Sequence, residues 1–355
     1  MQKKATITEV ADAAGVSIAT VSRVLNNSGK VALELRQKVE QAIRETGYQS
    51  NPIAGSMKNM KRNQIAIIIP TLRRNYYTDI IKGISDGCYR KGYVPSILES
   101  SGELKKEKKL IETLEAQWVD GIILSPCACG EPEEYRNYIH RLAQLNKRDI
   151  PIPVVLLDSP ECNELDNVSS DYAGSFYQMA EHLIEIGRKK LAVLANAPTV
   201  PMAAPFWDGI RKACEDHGLT IDESRVVSGN YTVLDGYWAV KSLLSKGVDF
   251  DGILCVNDQV AAGAQNACQE CGLVVPNDVA IIGFGGVALS VIPTPSISTM
   301  TIPRLQIGQE AVKMLFERIE GERTTPRYKQ VTGYLAIRGS TMRSAVKTLD
   351  AMFRE

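Results

Sequence analysis

Side chains suited to contacting a polyanion lie in a short stretch near the amino terminus, TITEVADAAGVSIATVSRVLN. Ser17 and Thr20 carry hydroxyl groups, and Arg23 carries a forked guanidinium. Ile18 and Ala19 offer only small apolar surfaces. Arginine can donate two parallel hydrogen bonds to guanine, whereas isoleucine and alanine can only meet a thymine methyl group or leave space. On one exposed helix face, these residues have the chemistry to recognise base edges in DNA.

Two short helices are predicted to position these side chains. A first helix is expected over residues 7–14, because Thr6 and Glu9 have the spacing of a capping box. Gly15 then breaks this helix, and Ser17 is suited to cap a second one. In a helix-turn-helix unit the first residues of the second helix lie nearest the base edges. The pattern also fits an ordinary antiparallel helix pair, which has no DNA function.

The distribution of charge favours the DNA-binding interpretation. Up to Arg62 the chain has ten basic and five acidic residues, a net charge of +5. Because the whole chain has 41 residues of each sign, the remainder carries a net charge of −5. A basic end on an acidic body is typical of a protein that docks on phosphate through one end.

A third helix and a linker follow. Residues on one face of the third helix are apolar, and Gly47 is placed to end it. Residues 48–63 have no aliphatic period and contain a proline, a glycine and three basic residues. We therefore expect a helix-turn-helix domain over residues 1–48 and a hinge or linker over residues 49–63.

From Gln64 onward, strand patterns alternate with amphipathic helix patterns, which predicts an α/β body of doubly wound parallel sheets with helices on both faces. The phrases VDGIIL and FDGIL echo each other 131 residues apart, which indicates two similar subdomains with a ligand cleft at the carboxyl ends of their strands. The expected divisions are a body over 64–342, a first subdomain over about 64–160 plus 293–323, a second over about 161–292 plus 324–342, and a tail over 343–355.

The composition, 44% hydrophobic and 23% charged, is that of a globular protein, with no run of about 18 apolar residues and no apolar signal core at the amino terminus. We expect a cytoplasmic protein with no membrane partner. Eight cysteines in this length do not form a disulfide framework, and Cys88, Cys214 and Cys255 lie within apolar runs, as reduced core thiols do.

With the helix pair, the linker and the paired α/β units, the chain resembles the lactose repressor (LacI/GalR) family of bacterial transcription regulators over nearly its full length. The matching segments are Val10-Ala11, Ala14–Ser17, Thr20–Asn26, Gly47-Tyr48, Asn51, Asp120–Ile123, Ile152–Val155, His182–Ile184, Asn257-Asp258, Ala261, Gly263 and Pro276–Phe284. The resemblance implies a homodimer, or a dimer of dimers, that binds a near-palindromic operator with an affinity set by a small-molecule effector in the cleft.

The resemblance also implies which residues contact DNA. Arg23 matches a base-contacting arginine, although a phosphate contact is the alternative. Met57 stands where the family's hinge helix usually has the leucine that wedges into the minor groove, while Gly55 within that helix and Ala32 before the third helix depart from the family pattern. The predicted DNA-binding residues are Thr6, Ser17, Ile18, Ala19, Thr20, Ser22, Arg23, Asn26, Tyr48, Asn51 and Met57.

The predicted cleft lacks two charged anchors that sugar-binding members usually carry. Phe206 stands in place of an arginine, and Gly285-Gly286 replaces an aspartate. The predicted effector-binding residues are Tyr76, Tyr77, Ser125, Asp158, Phe206, Trp207, Tyr231, Asn257 and Asp258. If these residues converge, the cleft suits stacking on a flat or apolar ligand, not necessarily a simple sugar. The alternative is that some of the aromatic residues pack in the core.

The histidines and cysteines bear on other possible functions. The three histidines, His140, His182 and His217, occur singly without ligand spacing, so no enzyme, metal or cofactor is predicted. The cysteine pairs Cys127/Cys129 and Cys268/Cys271 leave a redox or metal role open. The rival functions are a solute-binding protein, which would have no use for the basic first sixty residues, and a DNA-binding regulator controlled by a protein corepressor.

Overall fold

The computed structural model describes residues 5–25, 31–48, 62–127, 132–159, 163–197, 203–229 and 232–345. The chain divides into two compact units, Met1–Arg62 and Asn63–Glu355. Within the described residues no helix combines the length and the hydropathy needed to cross a membrane.

The amino-terminal unit, called the head below, contains the helices Ile7–Ala14, Ile18–Leu25 and Leu33–Thr46. Their apolar faces meet in one small core made of Val10, Ala11, Ala14, Val21, Val24, Val39 and Ala42. The predicted three-helix arrangement is therefore present, and each helix has one face available for other contacts.

Local hydrogen bonds set the ends of these helices. The Thr6 hydroxyl accepts from the Glu9 backbone N–H at 3.3 Å, and the Glu9 carboxylate accepts from the Thr6 N–H at 2.7 Å, which completes the predicted capping box. Gly15 ends the helix with a φ of 64°. Ser17 caps the second helix, since its Oγ accepts from the Thr20 N–H at 3.2 Å. Ala32 gives the third helix no side-chain cap.

The described residues of the second unit, called the body below, form two six-stranded sheets. The strands are β1 Gln64–Ile69, β2 Val94–Glu99, β3 Gly121–Leu124, β4 Val154–Leu157, β5 Asp166–Ser170, β6 Leu191–Leu194, β7 Val226–Val227, β8 Gly252–Cys255, β9 Ala280–Gly285, β10 Ser298–Thr301, β11 Tyr328–Val331 and β12 Tyr334–Ala336. The helices are Tyr76–Arg90, Leu104–Gln117, Pro132–Leu145, Tyr172–Glu185, Ala204–Asp216, Val233–Ser245, Asp258–Glu270 and Arg304–Ile319.

The first sheet has the strand order β11-β5-β4-β3-β1-β2, and the second has the order β12-β10-β9-β8-β6-β7. Every pairing is parallel except that of β12 with β10. The strands β1, β3, β4, β6, β8 and β9 are buried almost throughout, as expected for parallel strands covered by helices on both faces. The predicted fold class, with one α/β half for each of the two echoing phrases, is confirmed.

The predicted subdomain boundaries need correction. We expected residues from 161 onward to belong to the second half, but β5 lies in the first sheet. We also expected residues 293–303 to return to the first half, but β10 belongs to the second sheet, so the chain crosses back only before the helix Arg304–Ile319. Both missed strands have polar sequences, DNVSS and STMT, and therefore carry no aliphatic signal. Likewise, β11 stays in the first sheet and only β12 joins the second.

Close helix packing fixes the helix whose first turn carries Tyr76 and Tyr77. Gly83 on this helix lies against the Leu305 carbonyl, and Gly308 on the helix Arg304–Ile319 lies against the Ile80 carbonyl. A side chain at either glycine would collide with backbone, so the two helices lie at a separation that only glycine permits. The first turn of the helix is thereby held at the edge of the first sheet.

Candidate operator interface and effector cavity

The second helix of the head presents its predicted base-contacting residues to solvent. Ser17, Ile18, Ala19 and Arg23 are exposed, whereas Val21 on the opposite face is fully buried. Ile18 is 47% exposed, which is high for a large aliphatic side chain. Within the head, this face has the exposure that contact with a DNA groove requires.

The other predicted DNA contacts divide by exposure. Thr6 is exposed, while Thr20, Ser22 and Tyr48 are half-buried. The Thr20 hydroxyl bonds the Ser17 hydroxyl at 3.0 Å, and Tyr48 packs against the core of the head. The predictions for Asn26, Asn51 and Met57, together with most of the predicted hinge, lie outside the described residues, as do those for Tyr231 and Cys129.

A cavity of about 520 Å³ lies in the body between the two sheets. The residues that follow four strands supply much of its wall, because the carboxyl ends of parallel strands meet at one edge of each sheet. These residues are Pro70 after β1, Ser125 after β3, Asp158 after β4, and Val256 and Asn257 after β8. The position agrees with the predicted cleft, and the volume suits a small molecule.

Aromatic rings form a continuous wall of this cavity. The Tyr172 ring lies 5.0 Å from the Phe206 ring and 5.5 Å from the Phe284 ring, centroid to centroid. The fully buried Phe176 ring stacks on both phenylalanines, at 4.8 and 5.2 Å. This backing holds the lining rings in place, so the wall can stack on a flat ligand without rearranging.

A buried polar network forms around Asp158. The Tyr76 hydroxyl donates to its Oδ2 at 2.7 Å, and the Ser170 N–H donates to its Oδ1 at 3.0 Å. The Tyr76 hydroxyl also lies 3.2 Å from the Ser170 hydroxyl and 3.5 Å from the Tyr172 hydroxyl. Burial raises the pKa of Asp158, and these hydrogen bonds offset only part of that rise. A neighbouring pair, the hydroxyls of Tyr77 and Ser125, lies 3.0 Å apart.

Asp258 lies on the opposite side of the cavity, at the start of the helix Asp258–Glu270. Its Oδ1 accepts from the Thr299 hydroxyl at 2.6 Å and its Oδ2 from the Val287 N–H at 2.8 Å. Burial raises the pKa of Asp258 to about 6, although the positive charges of Arg304 and Arg338 act in the other direction. Asp258 is 1% exposed and lies in the field of these two arginines, so this carboxylate supports the cavity wall.

Seven of the predicted effector-binding residues line the cavity: Tyr76, Tyr77, Ser125, Asp158, Phe206, Asn257 and Asp258. Trp207 is not a lining residue. Its side chain is 2% exposed, and its Nε1 donates to the Asn196 carbonyl at 2.9 Å, so it packs in the core. On a helix, adjacent residues point in different directions, and of these two only Phe206 lines the cavity.

Several lining residues were not predicted from the sequence, among them Arg74, Asp171, Tyr172, Phe284 and Tyr328. Tyr172 follows the unrecognised strand β5, so its place at a strand end was hidden. Phe284 is the penultimate residue of β9, and its position near a strand end was a usable signal.

The predicted structural roles of the described cysteines and histidines agree with the packing. Cys88, Cys214 and Cys255 are buried free thiols. His182 is buried beside Thr341, at 2.9 Å, while His140 bonds Glu164 on the surface. Cys268 is buried and Cys271 exposed, and the question of a redox role for this pair stays open.

Comparisons with known proteins match both units of the chain. Residues 6–51 match the model of bacterial regulatory proteins of the lacI family, and residues 180–341 match that of the periplasmic binding protein-like domain. The HTH-type transcriptional repressor PurR of Haemophilus influenzae (strain PittEE) is 33% identical over 89% of this chain and 91% of the relative. The chain belongs to the LacI family. A further LacI-family relative, the ribose operon repressor of Halalkalibacterium halodurans, is 30% identical over 95% of this chain and 97% of its own length.

Solved structures of LacI-family regulators share the fold. The Lac repressor dimer bound to operator and an anti-inducer aligns with a TM-score of 0.84 at 24% identity, over 96% of this chain and 100% of that one. A complex of the transcriptional regulator CelR with cellobiose aligns with a TM-score of 0.69 at 25% identity, over 95% and 100%. This LacI-family protein is a DNA-binding transcriptional regulator with an effector-binding body, and the named relatives are repressors, not enzymes.

Proposed function

We propose that this LacI-family protein represses transcription by binding a palindromic operator as a homodimer, with Arg23 contacting a base through the major groove. The observation that carries the proposal is the exposed face of Ile18, Ala19 and Arg23 on a helix whose other face is locked into the core of the head. Because neither Ile18 nor Ala19 can donate hydrogen bonds from its side chain, Arg23 is the main polar reader. Since its target is chromosomal DNA, the protein acts in the cytoplasm.

Exposed apolar surface on the body supports dimer formation. Leu234 and Trp238 on the helix Val233–Ser245 are 66% and 62% exposed. Val94 and Ile97 on β2, at the edge of the first sheet, are 69% and 42% exposed. Exposed apolar patches and unpaired sheet edges are typical of association surfaces. A dimer covering these residues would remove them from water, and a tetramer would require further surface.

The effector that fits the cavity is a small molecule with a flat or apolar body. The wall formed by Tyr172, Phe206 and Phe284 favours stacking, and Phe206 stands where sugar-binding members usually carry an arginine. These features favour a ligand other than a simple sugar. A cavity of about 520 Å³ also favours a small molecule over a protein corepressor as the signal.

The proposal is tested by gel-shift titration of the full chain on palindromic operator-like duplexes and on shuffled duplexes, at physiological salt, with and without cell extract. We expect specific binding to exceed binding to shuffled DNA by a factor of about 10³ or more. Equal affinity for both duplexes under all conditions would overturn it. Analytical ultracentrifugation of the same sample gives the oligomeric state, and a monomer at micromolar concentration would overturn the dimer.

A further inference from the structure

Asp158 is a buried carboxyl group that has hydrogen-bond donors but, within the described residues, no ion-pair partner. It is 8% exposed and lines the cavity. Its donors include the hydroxyl of Tyr76 and the N–H of Ser170, the hydroxyls of Tyr172 and Ser170 also contribute, and all of these groups are uncharged. Across the described part of the chain, no lysine, arginine or histidine forms an ion pair with it. A carboxylate removed from water usually requires an opposite charge, so this site lacks a partner that a ligand can supply.

The other two carboxyl groups of the cavity differ from Asp158 in this respect. Asp171 caps the helix Tyr172–Glu185, since its Oδ1 accepts from the Gly174 N–H at 3.0 Å, and the positive end of the helix dipole offsets its charge. Asp258 lies in the field of Arg304 and Arg338. All three carboxyl groups accept from uncharged donors, but Asp158 has neither a helix dipole nor an arginine among the groups that act on its charge.

The surroundings of Asp158 also suit a cation with an apolar body. The hydroxyls of Tyr76 and Tyr172 lie next to the carboxylate, and the ring of Tyr172 continues into the wall formed with Phe206 and Phe284. Aromatic faces attract organic cations through the negative potential of the ring. Among the described lining residues, three carboxyl groups face a single guanidinium, that of Arg74. This excess of carboxyl groups over cationic groups disfavours an anionic ligand.

We propose that the effector of this cavity is a small organic cation, an amine or amidine on a flat or apolar body, whose charged nitrogen pairs with Asp158 while its body stacks on Tyr172 and Phe206. The assignment rests on the proposed function of the cavity as the effector site. It specifies the chemical class of the ligand and the residue that selects it.

The experiment uses calorimetric titration of the full chain with three matched probes: tryptamine, its alcohol analogue tryptophol, and indole-3-acetate. A parallel series uses phenethylamine, 2-phenylethanol and phenylacetate. An opposite charge in contact with a buried carboxyl group shifts its pKa by about one unit or more, and one pKa unit corresponds to a factor of ten in binding. We therefore expect each amine to bind about tenfold or more tightly than its alcohol. We expect no binding of either carboxylate. If no amine binds better than its alcohol, or if a carboxylate binds best, the proposal is overturned.

Two charge-removing variants identify the responsible residue. Asp158→Asn keeps the shape of the side chain, and asparagine tolerates the backbone φ of 52° at this position, so the variant should fold. It should remove the preference for the amine while leaving the affinity for the alcohol within about twofold. Asp171→Asn removes a charge from the same cavity and keeps the helix cap, since asparagine caps helices as well as aspartate. Equal losses in both variants would show that general negative potential, not Asp158, selects the ligand.

The probe titrations test the ligand class independently of operator binding. Gel shifts of the parent chain without any probe report the function of the head. Failure of the amine series with intact operator binding would overturn only the ligand class. Failure of operator binding with an intact amine preference would overturn only the repressor proposal.

Discussion

The head and the body hold their functional residues in opposite ways. In the head, Ile18 and Arg23 lie on an exposed helix face over a small core. In the body, Asp158 and Asp258 lie in an interior cavity, 8% and 1% exposed, and burial raises the pKa of both. Substitutions of the functional side chains in the head should therefore have little effect on folding, whereas burial of the carboxylates lowers the stability of the body.

The largest expected effect comes from the core beside the cavity. Trp207→Ala should lower the free energy of unfolding of the body by about 3–5 kcal/mol, because it empties a fully buried site and leaves the Asn196 carbonyl without its donor. Denaturant unfolding followed by circular dichroism measures the loss. Phe206→Ala, on the same helix but half-buried at the cavity, is the matched control and should cost clearly less. A Trp207 variant with parental stability but altered effector binding would restore Trp207 to the ligand site.

This contrast also explains how far the sequence predicted each region. Thr6, Glu9, Gly15 and Ser17 act on backbone groups within four residues of themselves, so their spacing alone predicts the helix ends of the head. The fold class of the body was predictable for a similar reason, since aliphatic strands such as β1 alternate with amphipathic helices.

The cavity was only partly predictable because its walls combine distant parts of the chain. Asp158 meets Tyr76 and Ser170, which lie 82 and 12 positions away. The strand β5 was not predicted because tertiary contacts stabilise its polar residues. Asp166 pairs with Arg318 and Arg323, both at 2.7 Å, and these arginines follow the second half of the body in the sequence. Such long-range pairs leave no periodic signal in a single sequence.

The second prediction concerns the pH dependence of stability in the body. The pKa of Asp258 rises from 3.8 to about 6 on folding, so the folded state holds a proton that the unfolded state has released between those values. Stability should therefore fall as pH rises from about 4 to about 6. The shift of about two units corresponds to about 3 kcal/mol.

The measurement compares unfolding free energies of the parent chain and Asp258→Asn between pH 4 and pH 7. The asparagine can accept from Val287 and donate to the Thr299 hydroxyl, which is free to rotate, so the variant keeps both contacts. The parent chain should lose stability relative to the variant across this window. Parallel pH profiles would mean that Asp258 titrates normally despite its burial.

The third prediction concerns the contribution of Arg23, in the head, to operator binding. Arg23→Ala should weaken operator binding by about 1–3 kcal/mol, because a base contact is lost, and should leave the stability of the head nearly unchanged, because the side chain is exposed. Gel shifts on operator and shuffled duplexes separate the two possible roles. A loss confined to the operator identifies a base contact, and equal losses on both duplexes identify a phosphate contact. Arg44→Ala, exposed on the third helix, serves as a control for general charge loss.

The smallest effect is expected at the first helix cap, where the roles of cap and DNA contact meet in one residue. Thr6→Ala removes the hydroxyl that accepts from Glu9 and should destabilise the helix Ile7–Ala14 by about 1 kcal/mol, measured by amide hydrogen exchange in the full chain. Thr6→Ser keeps the cap and should exchange like the parent. If Thr6 is only a cap, a head that remains mostly folded should keep nearly all of its operator affinity. If Thr6 also touches DNA, the affinity lost in Thr6→Ala will exceed what the measured unfolding of the head accounts for.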